Sequence, residues 1–79
     1  MEKQITAIVA KNLNLDVALI EEGTLQVEFN VTPDWDSLVH LSIMTDIEDE
    51  FDLEIDIDEM ENLTTISKIK SFLNASNVI

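Results

Sequence analysis

The sequence predicts an all-α fold, a small four-helix bundle made of three main helices and one short one. Apolar residues recur at helical spacing in three separate segments. Glycine and proline each occur once in 79 residues, as Gly23 and Pro33, so long helices are permitted elsewhere. Residues able to cap a helix stand just before two of the segments. With 46% apolar residues and a mean hydropathy of +0.11, the chain can form a real core rather than a disordered acidic tail.

The first helix is expected over about Glu2–Asn12, where Ile5, Ile8, Val9 and Leu13 share one side and Glu2, Lys3, Lys11 and Asn12 fall largely on the other. From Asn14 to Pro33 the pattern weakens. Leu15, Leu19, Ile20, Leu25, Val27, Phe29 and Val31 are scattered around Gly23 and predict a long loop pinned by apolar side chains. Val27, Phe29 and Val31 alternate as a strand would, but a lone strand has nothing to pair with. The second main helix begins sharply after Pro33, with Asp34 or Asp36 as its cap, and ends near Phe51. Leu38, Leu41, Thr45 and Glu48 form one stripe on it and Ile43, Ile47 and Phe51 another. Residues 52–58 alternate apolar and acidic side chains, and their acid content favours an extended connection. A short helix is expected over Asp58–Asn62. A last helix follows, capped by Thr64 or Thr65, with Ile66, Ile69, Phe72 and Leu73 on one face. Lys68 and Lys70 are expected toward its C-terminal half, where the helix dipole favours cations.

Length and charge limit the functions open to this chain. It has room for one small domain over residues 1–79, without cysteine and hence without disulfides or thiolate chemistry. No apolar run is long enough to span a membrane, and the start lacks the features of a signal peptide. Seventeen acids against four basic residues give a formal net charge of -13. Nucleic acid and anionic membranes would be repelled, whereas proteins with basic patches would be attracted. An EF-hand beginning at Asp52 would need glycine where Ile57 stands and glutamate where Leu63 stands, so that motif fails. With one histidine, no cysteine, no arginine and no glycine-rich phosphate loop, an enzyme is the least expected class. An acidic interaction module without a prosthetic group remains an alternative.

The candidate site is Asp36-Ser37-Leu38, at the junction of the loop and the second main helix. A serine there is exposed on a rigid element, close to backbone N–H groups that attract phosphate. The tripeptide alone is a weak pattern, and by itself it reads first as an ordinary helix start. Nearby, Trp35 is expected to pack over the loop, His40 to be incidental, and Met44 and Ile47 to belong to the core.

Asp36-Ser37-Leu38, the run Asp46-Ile47-Glu48-Asp49-Glu50-Phe51, then Glu54-Ile55 and Leu63-Thr64-Thr65-Ile66 together resemble the acyl carrier protein family over nearly the whole chain. The resemblance implies a free-standing acyl carrier domain in the cytoplasm, monomeric and without catalytic residues. Its attachment residue would be Ser37, with Asp36 beside it, and its cofactor 4′-phosphopantetheine, bearing acyl groups as thioesters. The implied partners are a phosphopantetheinyl transferase, an acyl-loading ligase or synthase, and acyltransferases with basic patches. They would dock on Leu38, Leu41, Ser42, Thr45, Glu48 and Asp49, while Asp46 and Glu50 would add charge. Many members have glycine where Asp34 stands here. Trp35-Asp36-Ser37 resembles specialised and D-alanyl carriers more than the general fatty-acid type, so an aminoacyl cargo is the alternative within the family.

Overall fold

The computed structural model describes residues 2–23 and 26–76. In chain order it contains α1 (Glu2–Leu13), α2 (Val17–Glu21), α3 (Ser37–Phe51), α4 (Ile57–Asn62) and α5 (Ile66–Ala75). Three longer helices and a short fourth agree with the sequence reading. The additional element is α2, inside the stretch expected to be a loop. It is five residues long, buries none of its side chains fully, and starts where the Asp16 carboxylate accepts from the Ala18 N–H at 3.0 Å.

Each longer helix stops or starts for a local reason. α1 ends because Asn14 takes a left-handed conformation (φ 58°), letting the Leu15 N–H reach the Ala10 carbonyl at 2.9 Å. α3 ends in the same way, with Asp52 at φ 53° and the Leu53 N–H on the Glu48 carbonyl. The Glu48 side chain accepts the Ile55 N–H at 2.8 Å and so anchors the connection to α4. α5 is capped by Thr65, whose hydroxyl accepts from the Lys68 N–H at 3.1 Å. Lys68 and Lys70 are not in the C-terminal half of that helix, because α5 continues to Ala75 and has no basic residue in its last turn. Lys68 instead turns back to donate to the Thr64 hydroxyl.

The core is the sum of the predicted apolar faces. Ile5, Val9 and Leu13 of α1 meet Ile43, Met44 and Ile47 of α3 and Ile69 and Leu73 of α5, closed by Val27, Trp35, Ile55 and Leu63 from the connections. α1 is the shared partner, packing against α2, α3 and α5. Leu15, Ile20, Val27 and Phe29 pin the loop as expected, whereas Leu19 and Val31 are exposed and Leu25 lies outside the described residues. Among the described residues there is no strand. The alternating Val27–Val31 segment makes a single antiparallel bridge, Glu28 with Thr65, and the Phe29 N–H donates to the Thr64 carbonyl at 2.9 Å. That bridge holds the loop ahead of α3 against the start of α5. Among the described residues no helix is long and apolar enough to cross a membrane.

Candidate attachment site

The segment from Glu28 to Asp36 is a knot of turns. The Val31 and Thr32 N–H groups both donate to the Glu28 carbonyl, and the Trp35 N–H donates to that of Thr32. The Asn30 N–H closes back on the Trp35 carbonyl, and the Thr32 hydroxyl accepts the Glu28 N–H at 2.7 Å. Two residues hold left-handed backbone here, Asn30 (φ 65°) and Asp34 (φ 74°). Asp34 holds with a side chain the conformation that glycine adopts most freely.

Asp36 then starts α3. Its backbone is extended, its side chain accepts the Val39 N–H at 3.0 Å, and its carbonyl accepts the first helical bond, from the His40 N–H at 2.8 Å. Asp36, not Asp34, is therefore the cap. Ser37 is the first helical residue and is exposed. First-turn N–H groups have no intrahelical acceptor, and together with the helix dipole they favour an anionic group at this end.

Below the serine the helix turns inward through a buried polar relay. Trp35 is only 1% exposed and His40 6%. The Trp35 indole Nε1–H donates to His40 Nδ1 at 3.0 Å, and His40 Nε2 lies 2.7 Å from the Met60 carbonyl of α4. An indole N–H can only donate and a carbonyl can only accept, so Nε2 carries the ring hydrogen and Nδ1 the lone pair. Phe29 stacks on the imidazole, with ring centroids 4.3 Å apart and planes 15° from parallel. His40 is thus neither incidental nor turned toward the serine; it is a structural link between loop, α3 and α4. The residue types contain no signal for this, because the far acceptor is a backbone carbonyl twenty positions away. Trp35 packs inside, and Met44 and Ile47 are core, as expected.

The outward side of α3 differs from the inward one. Leu38 is 78% exposed and Leu41 55%, and Ser42, Thr45 and Asp49 are exposed as well. Glu48 is half-buried, with one carboxylate oxygen committed to the Ile55 N–H. Asp46 and Glu50 point toward α1, accepting from the side-chain amides of Asn12 (2.9 Å) and Gln4 (3.1 Å). Ile57, at the start of α4, is a further exposed apolar side chain that sequence reasoning did not single out. Open grooves lie elsewhere, for example between α4 and α5, lined by Leu63, Lys68 and Phe72.

Fold and site define a small helical module that presents a serine at the head of its longest helix, beside exposed leucines. Comparison with known proteins agrees. An acyl carrier protein of Buchnera aphidicola subsp. Schizaphis graminum is 34% identical over 77 residues, 98% of this chain and 94% of that protein. A bikaverin polyketide synthase of Gibberella fujikuroi is 30% identical over 70 residues, which make up 89% of this chain but only 3% of the synthase. No family model matches the sequence. The chain belongs to the acyl carrier protein family.

Proposed function

We propose that this chain carries acyl groups on a 4′-phosphopantetheine arm attached to Ser37 and presents them to partner enzymes. The observation that carries the reading is the exposed Ser37 side chain at the first position of α3, in a member of the acyl carrier family. The residues present suit such a group. The phosphodiester would lie at the positive end of α3, and nothing has to move to reach the serine oxygen. When bound, the arm supplies a thiol on a long flexible tether, to which acyl groups attach as thioesters.

The chain's own residues position and present. Asp36 fixes the first turn through the Val39 N–H and so sets the direction of the Ser37 side chain. During modification the Ser37 oxygen forms a bond to the phosphorus that breaks from the diphosphate of coenzyme A. The serine proton passes to a base of the transferase, and adenosine 3′,5′-bisphosphate leaves. Leu38 and Leu41 supply the apolar centre of the docking face, Ser42 and Thr45 its polar edge, and Asp49 with the free part of Glu48 its charge. A surface of this sign draws partners with basic patches quickly and releases them quickly. The transferase, loading ligase or synthase, and acyltransferases bring the catalytic groups; this chain brings none.

Intact mass spectrometry after incubation with coenzyme A and a broad-specificity transferase tests the reading. The expected result is the mass of one phosphopantetheine on the wild type and none on Ser37→Ala with its fold retained. An unmodified wild type, or a Ser37→Ala variant that still functions in its own cells, favours an acidic interaction module instead.

A further inference from the structure

We propose that the Trp35–His40–Met60 relay bolts the seam between α3 and α4 beside Ser37, so that the groups this protein carries are short or polar and remain in solvent. The proposal rests on the reading of Ser37 as the attachment residue and concerns what is attached.

A group tethered at Ser37 that turns inward along α3 meets His40 before any other buried residue of that helix; Ile43, Met44 and Ile47 come after it. Ser37 and His40 are three positions apart and so lie on neighbouring parts of the same face. His40 is held from three directions, by the Trp35 N–H, the Met60 carbonyl and the Phe29 ring. Among the described residues no buried side-chain nitrogen or oxygen lacks a partner, so the relay is complete as it stands. An alkyl chain entering here would part His40 from the α4 carbonyl and strand buried polar groups. Together the stranded groups offset the burial of several methylenes. Behind the relay the space is taken, since Ile43, Met44, Ile47, Ile69 and Leu73 are all fully buried against one another. A close-packed interior gives no room without moving side chains. A short acyl group, or an aminoacyl group whose charge prefers water, requires none of this.

The experiment uses wild-type protein loaded by the transferase with acetyl or octanoyl groups from the matching coenzyme A thioesters, and verified by mass. Cleavage by hydroxylamine is timed for each, normalised to the same thioester on free pantetheine. A cargo sheltered nine-tenths of the time would be cleaved about tenfold more slowly. The expected result is octanoyl cleaved as fast as acetyl to within about twofold, meaning at most half of it sheltered at any time. A larger slowing, together with shifted methyl resonances of Met44 or Leu73, overturns the proposal. A second arm pairs Trp35→Phe with His40→Leu, which removes both polar side chains of the relay and leaves the Met60 carbonyl as its one polar group. Slowing of octanoyl in the folded double variant alone identifies the relay as the barrier. Equal rates in both folded proteins overturn that role. If no mass is added at Ser37 in the first place, the attachment reading falls and this proposal with it.

Discussion

Replacing His40 with leucine is the sharpest test of how the site is held. The substitution keeps an apolar side chain of similar volume but removes both ring nitrogens. It strands the Trp35 indole N–H, which is buried, and the Met60 carbonyl, which faces the imidazole from α4. Each stranded polar group costs about 1–3 kcal/mol, the two together about 2–6 kcal/mol, and the better transfer energy of leucine returns about 1 kcal/mol, so the expected net loss is about 1–5 kcal/mol. At roughly 0.05–0.15 kcal/mol per residue, a chain of 79 residues has about 4–12 kcal/mol in total, so the loss is a large fraction of it. Urea titration is the assay, followed by the fluorescence of Trp35, the one tryptophan, whose emission should shift to the red on unfolding. With a slope near 1 kcal/mol/M for so small a domain, the midpoint should fall by about 1–5 M urea. His40→Gln is the control, because its side-chain amide offers an acceptor to Trp35 and a donor to Met60; it should recover more than half of the loss. A His40→Leu variant that loses less than about 1 kcal/mol would refute the view that these bonds hold the site together.

The left-handed positions invite glycine. Asp52→Gly should raise stability by about 0.5–1 kcal/mol while relieving acid crowding, and Asp34→Gly should be neutral or mildly stabilising where Asp34→Ala is destabilising, all read from the same urea midpoints. Thr65→Ala removes the cap of α5 and should cost about 1 kcal/mol, with the Lys68 amide hydrogen exchanging faster; unchanged exchange would count against the capping bond. With a net charge of -13, the fold should melt at higher temperature in about 0.5 M sodium chloride than at low salt, because screening weakens the mutual repulsion of the acids; a flat salt profile would contradict this.

The parts of this structure legible in the sequence are those governed by local chemistry. Caps at Asp36 and Thr65 and the single proline mark helix starts, and the spacing of Ile5, Val9 and Leu13 marks a buried face. Ser37 is legible as the exposed head of α3 because the cap next to it is. α2 was not, since five residues with no fully buried side chain leave no periodic trace. The acidic run of α3 reads as one solvated face, yet Asp46, Glu48 and Glu50 divide among α1 and the α4 connection. Their partners, Asn12, Ile55 and Gln4, lie on other segments that nothing in the local pattern connects to them. His40 is the plainest case. A histidine three residues from a serine suggests chemistry, but only the folded backbone reveals that both of its nitrogens are already engaged.

That α1 sits against both α3 and α5 has a consequence for how the chain comes to be made. Ile5, Val9 and Leu13 of α1 complete their packing against residues far along the sequence, Ile69 and Leu73 of α5. A nascent chain lacking that last amphipathic stretch has an uncovered greasy flank on its opening helix and no means of closing it. The core therefore closes only once α5 is free to pack on α1. Until that moment the density of carboxylates is what keeps the unfinished chains from one another.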